Sequence, residues 1–140
     1  MTRRAYVRAV GQEAGMRFQG SVLAGLLLLG PASAQEAAQP TKLTPKQIEA
    51  VKKGVRQSLR DPDSARFDRP FIAARDSAGI LKVCGFVNAK NTYGGYAGDT
   101  AFVGTMFKNN TIFLPNSITG SDSGQYATRA VCAKEGIVLD

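Results

Sequence analysis

Apolar residues follow a helical repeat first and strand repeats afterwards. Ile48, Val51, Val55 and Leu59 recur at steps of three, four and four, which lays one apolar stripe along a helix. The start of that helix is densely marked. Thr44 suits the N-cap and Pro45 the first helical position, where a missing N–H costs nothing. Gln47 completes a capping box with Thr44, and Leu43 with Ile48 forms a hydrophobic staple. Lys46, Glu49, Lys52, Lys53, Arg56, Gln57 and Arg60 cover the outer side as a solvated helix face. The helix ends near Arg60, because Asp61 precedes Pro62. Gly54 inside it costs about 1 kcal/mol relative to Ala, and a close approach to a sheet is a reason for its presence.

Beyond the helix the pattern changes to strands and turns. Asp61-Pro62-Asp63-Ser64 reads as a turn, Ser64–Phe67 leads into a strand, and Phe71–Ala74 continues the apolar content. Asp76-Ser77-Ala78-Gly79 is a hairpin-type turn. Ile80–Ala89 is apolar on both faces, with Leu81, Val83, Val87 and Ala89 on one and Ile80, Cys84 and Phe86 on the other, as in a covered central strand. Thr100–Phe107 and Ile112–Leu114 flank a tight turn at Lys108–Thr111. Asn116–Gly124 reads as loop. The Ala-rich Gln125–Lys134 predicts a short helix closed by Gly136, or alternatively a strand through Tyr126, Thr128, Ala130 and Cys132. The expected architecture is a single α+β domain over residues 43–140. In it an N-terminal amphipathic helix packs on a small antiparallel sheet of about four strands, followed by a short C-terminal helix.

The stretch before this domain carries a different signal. Ser21–Gly30 is an apolar run too short to span a bilayer and suited to a signal-peptide core. Ala32-Ser33-Ala34 is a small-x-small cleavage pattern, so residues 1–34 read as a Sec signal peptide cut after Ala34. The region ahead of the run is long. Met16 as the true start would leave a compact signal with Arg17 at its positive end. Arg3-Arg4 suggests twin-arginine export, but Ala9–Gly20, with Glu13, separates it from the apolar run. Gln35–Lys42 is polar and unpatterned, and reads as a disordered lead-in. No Cys lies near the cut, so no lipid anchor is expected, and the predicted location is periplasmic or secreted.

Composition narrows the chemistry. With 140 residues, 44% of them hydrophobic and 21% charged, one globular domain is the default. There is no His, which excludes Ser-His-Asp and Cys-His catalysis and His-bearing zinc sites in this chain alone. Of the net charge of +7, the leader holds +3 through Arg3, Arg4, Arg8 and Arg17 against Glu13. The remaining +4 is spread, with no basic and aromatic stripe, so nucleic acid is not an expected partner. Cys84 and Cys132 are the only cysteines, and an exported chain pairs them. Closing a loop of about 48 residues contributes on the order of 4 kcal/mol. There is no C-x-x-C, so a structural disulfide is expected.

The candidate site is the polar, glycine-rich loop after the central strand. Asn88, Lys90, Asn91, Tyr93 and Tyr96 offer donors and flat apolar faces, and Gly94, Gly95 and Gly98 allow tight turns. Tyr, Gly and Asn are the composition of adaptable binding loops. An envelope protein or glycan would stack on Tyr93 or Tyr96 and hydrogen-bond the Asn side chains. The same residues also serve turn geometry, with Asn88 and Asn91 bonding their own backbone. No G-x-G-x-x-G or Walker pattern is present, and no cofactor or metal is expected. A small envelope hydrolase is the alternative, with Lys90 beside a hydroxyl or carboxylates from Asp61, Asp63 or Asp99. None is at a diagnostic spacing, and Asp61-x-Asp63 as a calcium site is more simply a turn.

Two blocks carry a resemblance. Asp61-Pro62-x-Ser64-Ala65-x-Phe67 is followed by Val83-Cys84-Gly85-x-Val87-Asn88-x-Lys90-Asn91-x-Tyr93-Gly94-Gly95-Tyr96-x-Gly98. Together they resemble an uncharacterised family of small exported bacterial and phage-associated proteins with D-P-x-S-A-x-F and C-G-x-V-N-x-K-N-x-x-G-G-Y blocks. The resemblance implies an exported one-domain α+β protein and brings no activity with it.

Overall fold

A computed structural model describes residues 38–140. The signal peptide, its cleavage after Ala34, the alternative start at Met16, the twin-arginine reading and the first residues of the lead-in lie outside the described residues. The chain runs through β1 (Gln39–Thr41), α1 (Pro45–Gln57), a 3-10 turn (Pro62–Ser64), β2 (Ile72–Arg75), β3 (Leu81–Val87), β4 (Thr100–Phe107), β5 (Ile112–Ile118) and α2 (Asp122–Lys134). The strands form one antiparallel sheet in the order β1-β2-β3-β4-β5. This meander is an α+β arrangement with two helices and one disulfide.

The sheet has five strands where about four were expected, and the additional one is β1. Gln39 pairs with Arg75 and Thr41 with Ala73, within a stretch that reads as disordered from its polar residues. Main-chain pairing alone makes this edge strand, so it needs no alternation of apolar side chains, and Pro40 is tolerated at an edge. Ser64–Phe67 differs in the other direction. It forms the end of a 3-10 turn and a single bridge from Arg66 to Asn88 instead of a strand. β5 continues through Pro115 to Ile118, past the expected start of the loop, after a register shift at Val103/Gly104. Residues 125–134 are helical, and α2 begins earlier, at Asp122, because the Ser121 hydroxyl accepts the Gly124 amide as its N-cap.

Period-2 alternation divides the sheet into two covered faces. On one, Val51 and Val55 of α1, both fully buried, meet Val83, Val87, Phe102, Met106 and Phe113. The Thr44 hydroxyl accepts the Gln47 amide while the Gln47 side chain accepts the Thr44 amide, so α1 starts with a closed capping box. At Gly54 the helix approaches so closely that a Cβ would run into the Phe113 carbonyl and ring. Phe67, Phe71, Phe102 and Phe113 form a row of edge-to-face pairs with centroids 5.5, 5.5 and 5.9 Å apart. The row lies over Gly85, where a Cβ would stand 2.7 Å from Phe71 and 2.9 Å from Phe102. On the opposite face Ala74, Cys84 and Val103 pack against Cys132 of α2 and Ile137 of the C-terminal segment. Cys84 is bonded to Cys132, with the Cα atoms 6.2 Å apart, which ties β3 to α2. Polar contacts on this face include Ser117 Oγ with Thr128 Oγ1 at 2.8 Å and the Thr105 hydroxyl donating to Asn116 Oδ1 at 3.0 Å.

Candidate functional site

The loop after β3 is closed by its own residues. Asn91 Oδ1 accepts the amides of Tyr93 at 2.9 Å and Gly95 at 3.2 Å. The Asn91 main chain accepts the Gly94 amide at 3.0 Å and donates to the Gly95 carbonyl at 2.8 Å. A short polar side chain that satisfies two amides of its own turn is an Asx-type closure. Gly94 sits at φ +80° and Gly98 at +95°, conformations in which an L side chain would be strained. Lys90 and Tyr96 then form a bridge across the loop base.

That base rests on the Asp61–Phe67 block. Asp61 caps the 3-10 turn by accepting the Ser64 amide at 3.3 Å. The Ser64 hydroxyl donates to the Asp61 carbonyl at 2.8 Å and accepts the Lys90 amide at 2.9 Å. Tyr96 donates its hydroxyl to the Ser64 carbonyl at 3.1 Å. Arg66 and Asn88 exchange both main-chain bonds, at 2.8 and 3.0 Å. The Arg66 guanidinium lies 4.1 Å above the Tyr96 ring, and Lys90 Nζ lies 5.9 Å from its centroid. Asn88 Oδ1 is buried with no hydrogen-bond partner among the described residues.

The structure therefore divides the predicted site residues by role. Asn91, Tyr96 and the backbone of Lys90 hold the loop, while Gly94 and Gly95 form its turn. Residues 90–99 are all exposed, and Tyr93 is exposed to 96% against 37% for Tyr96. Behind the loop is a hollow of about 270 Å³ lined by Lys90, Asn91, Thr92, Arg60 and Thr100 among others. The carboxylates considered for hydrolysis do not converge there. Asp61 is engaged in the turn, and Asp99 lies 3.9 Å from Arg69. Among the described residues no three His, Cys, Asp or Glu side chains are grouped as metal ligands. The Ser64 hydroxyl, the one described as bonding Lys90, reaches only its main chain, at 2.9 Å.

A second concave surface was not legible from the sequence. A groove of about 740 Å³ opens between Thr41–Leu43, the first turns of α1 and the Phe67–Phe71 connection. Leu43 and Ile48 read as a staple and Phe67 and Phe71 as parts of the strand region, and each is only half-buried. The available signal was the spacing of Phe67 and Phe71 around Asp68-Arg69-Pro70, two aromatics bracketing a charged bend.

Comparison of the chain with protein-family models, with curated proteins and with solved structures gives no match.

Proposed function

We propose that the protein is an exported, non-enzymatic binding domain of the cell envelope that engages an envelope protein or glycan through the tip of the Asn88–Gly98 loop. The observation that carries this reading is Tyr93. A large aromatic side chain, 96% exposed, is held on a turn whose backbone is fixed by the Asn91 side chain. An exposed Tyr on a rigid loop offers contact area at low cost in conformational entropy. Export is supported by the leader pattern of residues 1–34 and is consistent with the Cys84–Cys132 disulfide, which persists in oxidising compartments. The resemblance of the two sequence blocks to small exported proteins points the same way.

The test uses the immobilised full chain, challenged in one arm with solubilised envelope proteins and in another with envelope polysaccharide fragments. Retention that Tyr93→Ala abolishes and Tyr126→Ala leaves intact is expected, since Tyr126 is also exposed but lies on α2. Retention that both variants preserve would remove the loop as the binding surface.

A further inference from the structure

The groove beside the start of α1 has the chemistry of a site for an anionic amphiphile. Its volume of about 740 Å³ falls in the range of roughly 300–1,000 Å³ typical of small-molecule sites. Its walls are Leu43, Ile48, Phe67 and Phe71, with Ile72 and Pro70 continuing the apolar surface. Half-buried aromatic and aliphatic side chains grouped around one trough leave apolar area that a hydrocarbon can cover. The charges lie among the same lining residues: Lys42, Lys52 and Arg69 against one carboxylate, Asp68. Lys52 also contacts Glu49 at 3.0 Å, and Arg69 lies 3.9 Å from Asp99. Lys42 is exposed and makes no ion pair among the described residues.

We infer that this groove binds a fatty carboxylate, a single acyl chain lying along Ile48, Phe67 and Phe71 with its carboxylate against the ammonium group of Lys42. An apolar trough whose lining includes the exposed Lys42 ammonium, free of any ion pair among the described residues, complements a negatively charged head and a hydrocarbon tail. The apolar run Ser21–Gly30 of the same chain is a less complementary occupant, because Arg17 and the arginines ahead of it would bring like charge to the lysines. The site is separate from the Tyr93 loop and does not depend on the reading given to that loop.

The experiment titrates the full chain with decanoate, dodecanoate and tetradecanoate below their micelle concentrations, following NMR shifts of Lys42, Ile48, Phe67 and Phe71. One site is expected, with affinity rising about fourfold per methylene until the groove is filled. Lys42→Glu, a change at an exposed position that leaves the core intact, weakens dodecanoate by about threefold to tenfold and leaves dodecanol unchanged. Ile48→Asp abolishes binding of both. Dodecyltrimethylammonium binding as well as dodecanoate, affinity independent of chain length, or binding to anionic phospholipid vesicles without binding of monomeric dodecanoate would each overturn the proposal. So would nuclear Overhauser contacts placing residues 21–30 against Phe67 and Phe71 in the free chain.

Discussion

The Tyr96 hydroxyl donates to the Ser64 carbonyl at 3.1 Å across 32 residues of chain. This contact joins the Asp61–Phe67 block to the loop that follows β3 as one unit. Ser64 is the hinge of that unit, since its hydroxyl also receives the Lys90 amide and donates to the Asp61 carbonyl. Ser64→Ala removes both hydroxyl bonds and leaves the Tyr96 bond in place. It is expected to lower stability by about 1–2 kcal/mol. Amide exchange at Lys90 should accelerate, while the Phe102 and Phe113 amides keep their protection. Denaturant midpoints with residue-resolved exchange check this.

Asn91→Ala leaves the Tyr93 and Gly95 amides without the acceptor that closes the turn. The loop is exposed, so the loss in global stability is small, about 0.5–1.5 kcal/mol. The larger effect is expected in exchange rates at Tyr93 and Gly95, which rise well beyond any change at the β3 amides. If Asn91→Ala left those rates unchanged, the turn would not be held by this side chain.

Gly54→Ala sets two effects against each other. Alanine gains up to about 1 kcal/mol of helix propensity. The added Cβ meets the Phe113 carbonyl, a main-chain atom that cannot turn aside as a side chain would. Overpacking of this kind costs typically about 1–3 kcal/mol, so a lower melting temperature is the expected net result. A rise would show that α1 stands further from β5 than described.

The Cys84–Cys132 bond closes a separation of 48 residues between β3 and α2. Replacing both cysteines by alanine is expected to cost on the order of 4 kcal/mol. For a domain of this size that corresponds to a drop in Tm of about 15–30 °C. Thermal unfolding with and without a reductant measures it.

Much of this was legible because local signals and tertiary packing agree. β3 alternates with Leu81, Val83 and Val87 toward α1 and Cys84 and Phe86 toward α2, as two-sided apolar content requires. The pairing of Cys84 with Cys132 needed only that they be the sole two cysteines of a chain whose leader pattern predicts export. β1 was not legible, because Gln39-Pro40-Thr41 is ordered by main-chain bonds to β2 that leave no side-chain pattern. The roles within the loop were not legible either. Tyr93 and Tyr96 differ by three positions and share a composition, yet Tyr96 is fixed by Ser64 and Arg66, residues some 30 positions earlier. The groove escaped for a related reason. Phe67 and Phe71 form a continuous row with Phe102 and Phe113, and only the three-dimensional arrangement shows that its outer end is uncovered.

The proposed role of Tyr93 is tested most directly by the dissociation constant for whichever envelope protein or polysaccharide the immobilised chain retains, compared between wild type and Tyr93→Ala and measured beside their melting temperatures. Binding weaker by on the order of tenfold or more is expected, as for a central aromatic contact, with an unchanged Tm because the Tyr93 side chain is 96% exposed. Equal dissociation constants at equal Tm would contradict it.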